Sequence, residues 1–231
     1  MWLLAVDTSS NDPSVALLRD DRLMALVAPR GRQQQSLQLF RSINHALSEA
    51  GIGLGEVAAY AVATGPGAFT GLRVGLTLIK SLAEMQGKPI VAVAVLEAVC
   101  ESAASGSLLL PLVDAYRGQV FAGLYEKQNA EVVRRAPDRV LSWEELVAAF
   151  AAEGVVAEQC TLVGPRLERW TPRLREGCLR ACHREDISPV LAEAVARRAL
   201  RKFERGETVD ALRLQAHYVR RSDAELLWRG K

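Results

Sequence analysis

Residues 64–80, TGPGAFTGLRVGLTLIK, restrict the fold of this chain more than any other stretch. Residues 57–63 before it form an apolar run of strand length. Leu72, Leu76, Ile79, Leu82 and Ala83 after it recur at helical spacing. A strand, a tight turn and a helix therefore follow one another with almost no linker. Pro66 fixes its own φ and has no N–H to donate, and Gly65 and Gly67 give the backbone room to turn around it. Thr70 is the expected N-cap, since its hydroxyl suits a free N–H one turn on. Gly71 and Gly75 then lie one turn apart on one helix face, where each is less favourable than alanine by about 1 kcal/mol. Two such residues predict a second backbone, or a partner, close against that face. A glycine-rich turn before a helix is also a phosphate-binding device. Here, however, Gly71 is followed by Leu72 and Arg73 rather than by Lys-Ser/Thr, and no G-x-G-x-x-G stands in the dinucleotide register.

At 231 residues the chain is long enough for one domain or two lobes of about 100 residues each. Residues 2–6 are too short an apolar run to span a membrane, and they lack the basic flank and cleavage site of a secretory leader. Cys100, Cys160, Cys178 and Cys182 form no disulfide framework for a chain of this size, so they read as reduced thiols of a cytoplasmic protein. Charge is unevenly spread: residues 1–159 carry 13 basic and 17 acidic side chains, net −4, whereas residues 160–231 are net +6. A basic final third would favour RNA or an acidic partner. The plainer reading is a solvated helix face made by Arg197, Arg198, Arg201, Lys202 and Arg205.

Residues 3–6, 14–18 and 22–28 read as a three-stranded meander. Leu37, Phe40, Ile43, Ala46, Leu47 and Ala50 mark an amphipathic helix ended by Gly51. After the central strand, turn and helix come a buried strand at 90–95 and a short helix to about Ala104. Ser105-Gly106-Ser107 is the expected boundary, because the opening pattern then begins again. Residues 108–113 form an apolar strand ending at Asp114, residues 119–125 its hairpin partner and residues 131–140 a third strand. Ser142 and Glu145 form a capping box for a helix over 143–152. A short strand at 161–163 follows. A long helix then opens at Ser188-Pro189, with serine as N-cap and proline at the first helical position.

Each unit thus has a strand-end aspartate, Asp7 in one and Asp114 in the other. A strand-end aspartate beside hydroxyl residues is suited to Mg²⁺-bound phosphate. Asp7-Thr8-Ser9 fits that chemistry better than Asp114-Ala115-Tyr116-Arg117, and each aspartate could equally serve as the cap of its own turn. His45, His183 and His217 are far apart and make no helical ligand pair. Cys178, Cys182 and His183 are three potential ligands without a fourth. No G-x-S-x-G elbow is present.

Three motifs in order, Val6-Asp7-Thr8-Ser9, the run from Gly65 to Gly75 (GPGAFTGLRVG) and the run from Asp114 to Phe121 (DAYRGQVF), together resemble the TsaB (YeaZ) family over nearly the whole chain. Tyr218-Val219-Arg220 is similar to that family's Pro-x-Tyr-Leu-Arg ending. The resemblance implies an α/β, two-lobed fold of the actin, sugar kinase and Hsp70 type (ASKHA) with a reduced second lobe. The lobes would be residues 1–105 and 106–231, the last residues packing back on the first lobe. It implies a part in forming threonylcarbamoyladenosine at position 37 of tRNAs that read codons beginning with A. In that pathway TsaD is the catalytic, metal-binding paralogue and a separate synthase makes threonylcarbamoyl-adenylate. A small ATPase, TsaE, joins the complex.

This chain would be a non-catalytic scaffold and activator of TsaD, with no catalytic or metal-ligating residue. Its implied partners are TsaD as a heterodimer, TsaE, a second copy as a homodimer, and tRNA within the complex. No cofactor is implied for the chain alone, while ATP or ADP with Mg²⁺ would belong to the multi-subunit complex. The resemblance makes Asp7, Thr8 and Ser9 a vestigial nucleotide site, and Asp114 and Arg117 the second-lobe motif. It places the partner interface on two helices, about 34–50 and 70–86. Gly65, Pro66, Gly67, Phe69, Thr70, Gly71, Leu72, Arg73, Gly75 and Ile79 supply one side of it, and Leu37, Phe40, Arg41, Asn44 and Leu47 the other. Ala68, Gln35 and Ala216 depart from the family's serine, histidine and proline. Two other readings follow from the residues: a Mg²⁺-ATP phosphotransferase or ATPase resting on Asp7-Thr8-Ser9 and the duplicated units, and a metalloprotease, which the histidine spacing opposes.

Overall fold

The computed structural model describes residues 1–29, 35–104, 106–129, 131–174 and 177–220, without the side chains of Gln35 and Ser36. The expectations at Gln34, the Gln35 side chain and Ser105 lie outside the described residues. The chain divides into two units, Met1–Ala98 with Val190–His217, and Val99–Pro189 with Tyr218–Lys231.

The first unit is built on a five-stranded sheet. Its strands are β1 (Trp2–Asp7), β2 (Ser14–Arg19), β3 (Arg22–Val27), β4 (Val57–Gly65) and β5 (Ile90–Ala94), in the order β3-β2-β1-β4-β5. β1, β2 and β3 form the expected antiparallel meander, and β4 and β5 run parallel to β1. The helices are α1 (Gln35–Ala50), α2 (Phe69–Gln86) and, far down the chain, α6 (Ala192–Glu204); α3 (Val95–Ser102) begins in this unit and ends in the second. β1 and β4 are buried along almost their whole length, as strands covered on both faces are. Leu4, Val6, Val15, Leu17, Tyr60 and Val62 share a core with Leu39, Ile43, Leu72, Leu76 and Ile79 of α1 and α2. Helix α6 packs on β1, β2, β4 and β5 from the opposite face.

The second unit repeats this plan. β6 (Leu108–Asp114), β7 (Gln119–Gln128), β8 (Glu131–Ser142), β9 (Cys160–Pro165) and β10 (His183–Ile187) pair in the order β10-β9-β6-β7-β8. Here too a three-stranded antiparallel meander is extended by two parallel strands. Helix α4 (Trp143–Ala152) begins with the expected box. The Glu145 N–H donates to Ser142 Oγ at 3.2 Å, and the Ser142 N–H donates to Glu145 Oε2 at 2.7 Å. A 3₁₀ turn at Leu167–Trp170, the one-turn α5 (Thr171–Leu174) and a second 3₁₀ turn at Cys178–Ala181 join β9 to β10. Trp143, Leu146 and Phe150 of α4 close the core over Leu110, Leu112 and Leu162.

Several expectations are corrected. The second lobe does not hold everything from 106 onward, since α6 and the segment to His217 belong with the first unit. There Val209 and Ile90 exchange backbone hydrogen bonds of 2.8 and 3.0 Å. Thr70 is not the N-cap of α2; Ala68 is, and its carbonyl accepts from the Leu72 N–H at 2.9 Å. Helix α6 does not open at Ser188-Pro189 but at Ala192, whose N–H donates to Ser14 Oγ of β2 at 3.2 Å. A distant hydroxyl thus does the work expected of a local one. The arginine-rich stripe of α6 is only in part a solvated face: Arg205 is exposed, but Arg198 is buried and Lys202 Nζ donates to Ala92 O at 3.2 Å and Glu97 Oε2 at 2.8 Å. Among the described residues no helix is long and apolar enough to cross a membrane.

Candidate functional site

In the first unit the loop after β1 and the turn before α2 meet. Ala68 N–H donates to the Ser9 carbonyl at 2.7 Å, fixing the Gly-Pro-Gly turn against Asp7-Thr8-Ser9. A Cβ on Gly67 would run into the Ser9 backbone, one on Gly71 into the Thr8 carbonyl, and one on Gly75 into Thr8 Oγ1. The close approach read from the paired glycines is therefore real, but the neighbour is this chain's own loop. Gly71, Gly75, Leu72 and Ile79 all face inward, as does Leu47 on α1. This corrects their expected place on the contact face: a bulky residue at position 75 would collide with Thr8 rather than with a partner.

Asp7, Thr8 and Ser9 are buried. Ser9 N–H donates to Asp7 Oδ1 at 2.9 Å, the turn-capping geometry expected of a strand-end aspartate. Among the described residues, Asp7 Oδ2 and Thr8 Oγ1 have no hydrogen-bond partner. Burial pushes the Asp7 carboxyl above its ordinary range; the Ser9 hydrogen bonds oppose that rise and the charge of Asp12 adds to it. An orphaned, buried carboxylate oxygen is chemically suited to a cation, so Asp7 fits the Mg²⁺-phosphate role that the resemblance implies for it.

Asp114 does not fit it. Oδ1 accepts from Tyr116 N–H at 2.8 Å, and Oδ2 accepts from the Arg169 guanidinium at 2.7 Å. The aspartate caps its hairpin and carries its own counter-charge. Arg169 was not foreseen, since a partner 55 residues away leaves no local mark in the sequence. Arg117 lies exposed in the same hairpin, with φ of 55°. Of the three histidines, His45 and His183 are exposed and His217 donates its backbone N–H to the Thr64 carbonyl at 2.8 Å beside the Gly65 turn. Among the described residues no three His, Cys, Asp or Glu side chains come together as a metal site.

The outer faces of α1 and α2 carry unusual apolar exposure. Leu37 and Phe40 are 47% and 44% exposed, Phe69 36%. Arg41 and Asn44 lie on the same outer side of α1. Phe69, Thr70, Arg73, Val74, Thr77, Leu78 and Ser81 line a groove of about 550 Å³ along α2. At its mouth the Arg73 guanidinium lies 3.9 Å from the Phe69 ring centre. Val74, Thr77, Leu78 and Ser81 were missed, although their 3–4 residue spacing opposite the buried stripe marks one helix face.

Two sheets of one topology, each with an aspartate closing its first strand, give the chain an ASKHA-like α/β fold. Lmo2764 of Listeria monocytogenes, a candidate N-acetylmannosamine kinase, shares the fold at a TM-score of 0.50 and 12% identity, over 90% of this chain and 100% of its own. The family model described as "TsaD: tRNA N6-adenosine threonylcarbamoyltransferase" matches residues 27–211, and the chain belongs to that family. Within it, the motifs are similar to those of TsaB. The tRNA threonylcarbamoyladenosine biosynthesis protein TsaB of Bacillus subtilis is 34% identical over 154 residues, 64% of this chain and 66% of its own length. The Escherichia coli TsaB is 26% identical over 97% of this chain and 96% of its own. YeaZ from Pseudomonas aeruginosa superposes with a TM-score of 0.79 at 26% identity, covering 94% of this chain and 99% of that structure.

Proposed function

We propose that this chain takes part in threonylcarbamoyladenosine formation on tRNA as a TsaB-type subunit, a non-catalytic scaffold that docks TsaD through the outer faces of α1 and α2. The observation that carries the reading is the apolar groove on α2, lined in part by exposed Phe69, together with exposed Leu37 and Phe40 on α1. Three large apolar side chains held at the surface on two helices of one sheet are what a partner interface requires. The Arg169–Asp114 pair supports the non-catalytic part, since it leaves the second strand-end carboxylate engaged on both oxygens. The same face would serve a homodimer when TsaD is absent. TsaE and tRNA would join the assembled complex, and ATP or ADP with Mg²⁺ would be held there.

The test is size-resolved mass of the protein alone and mixed with TsaD from the same cell. A one-to-one complex is expected, and Thr77→Trp, which fills the groove from an exposed position, should weaken it at least tenfold without shifting the thermal midpoint. Unchanged binding by Thr77→Trp would remove this face from the interface. No complex at micromolar concentration, even with TsaE and ATP, would end the subunit reading. The Mg²⁺-nucleotide reading would then lead, carried by the orphaned Asp7 Oδ2.

A further inference from the structure

The second unit holds two thiols side by side. β9 and β10 run parallel with Thr161 paired to His183, and Cys160 and Cys182, both with extended backbone in reach of that register, are the residues immediately before this pair. Neighbouring strands lie about 4.8 Å apart, inside the Cα separation of about 4.4–6.8 Å that a disulfide bridges. Both side chains enter the same core, among Leu110, Leu162 and Leu179. Each thiol shifts the other's titration, as groups this close do. Cys182 is the more open of the two, at 6% exposure against 0%, and it follows the 3₁₀ turn that starts at exposed Cys178.

We propose that Cys160 and Cys182 are a modification site, a dithiol that closes to an intramolecular disulfide on meeting a low-molecular-weight disulfide such as glutathione disulfide. Cys182 attacks first as the thiolate. The reagent's S–S bond breaks, a mixed disulfide forms on Cys182 and one glutathione thiolate leaves. The Cys160 sulfur then attacks the Cys182 sulfur, forming the protein disulfide and releasing the second glutathione thiolate. Two protein thiols are oxidised, one reagent disulfide is reduced, and the two thiol protons end on the released glutathione. Burial pushes the Cys160 thiol up to about 12 and raises Cys182 as well. Thiolate is therefore scarce in the closed fold, and the exchange proceeds through openings of the turn before Cys182. The resulting loop encloses Arg169, so the bridge would tie the counter-charge of Asp114 to the strand pair.

The experiment incubates native Cys178→Ser protein with excess glutathione disulfide, quenches in acid, unfolds, alkylates and maps the peptides. The Cys160 peptide should be joined to the Cys182 peptide, with the intact mass lower by about 2 Da, and Cys100 alone should still alkylate among the three remaining thiols. In a Cys160→Ser variant, glutathione should stay on Cys182 as the trapped mixed disulfide. Full alkylation of both Cys160 and Cys182 after the reaction would overturn the proposal. So would a bridge in the unsubstituted protein that joins Cys178 to either of them, or one that forms only after unfolding.

Discussion

Asp7 places its carboxyl where no water reaches, with one oxygen held by Ser9 and the other unpartnered. Its proton is therefore held more tightly in the folded chain than in the unfolded one. The folded state then binds more protons between the ordinary value of 3.8 and the raised one, so stability falls as pH rises through that window. Asp7→Asn keeps the acceptor for Ser9 and removes the ionisation. Its urea midpoint should exceed the parent's at neutral pH and vary less as pH rises above 3.8. Gly71→Ala tests the packing beside it. The new methyl meets the Thr8 carbonyl, a backbone atom that cannot swing aside, and the expected loss is about 1–3 kcal/mol in denaturant titration. Both features were partly legible beforehand. The glycine spacing announced a close neighbour, a backbone or a partner, because alanine is otherwise favoured over glycine inside a helix. It could not say whose backbone, since the Thr8 contact joins segments some sixty residues apart.

At the level of elements, α6 is tethered as well as packed. Glu97 at the start of α3 receives Lys202 Nζ at 2.8 Å and lies 4.0 Å from Arg198 Nε, with side-chain exposures of 19%, 15% and 5%. Removing the shared carboxylate leaves two cations with little access to water. Glu97→Ala should destabilise the protein by about 3 kcal/mol, read as a shift in denaturant midpoint at constant slope. Sequence periodicity found α1, α2, α4 and both meanders, because each has a clear apolar stripe or alternation. It missed β10, whose residues HREDI are almost all polar and which is an edge strand held by its pairing with β9 and by side-chain bonds from Arg184 to the Leu174 carbonyl and from the Leu167 N–H to Asp186. It misplaced the start of α6 because the hydrogen bond that starts it comes from Ser14, and no local pattern encodes a distant cap. On α2 the buried stripe was legible, and with it the opposite face that carries the groove. Which side each residue takes was harder to read: Leu47, Gly71, Leu72, Gly75 and Ile79 belong to the core side.

For the whole molecule, the repeated strand order is the most legible feature. A hairpin ending its first strand in aspartate appears twice in the sequence and twice in the sheets. The division of the chain was less legible, because the return of residues 190–217 to the first unit depends on tertiary contacts. Those residues supply α6, which covers one face of β1, β4 and β5. A fragment of residues 1–98 should therefore lack a cooperative thermal transition and bind a hydrophobic dye, while residues 99–189 should melt as a unit. A sharp transition in the first fragment would show that α6 is dispensable.

The same connectivity sets an order of events during synthesis. The ribosome delivers β1 to β5 first, yet their covering helix leaves the exit tunnel only after the second sheet has been made. The half of the protein translated first is completed last. Its apolar strands stand open meanwhile, and chaperone occupancy on nascent chains should persist until α6 emerges.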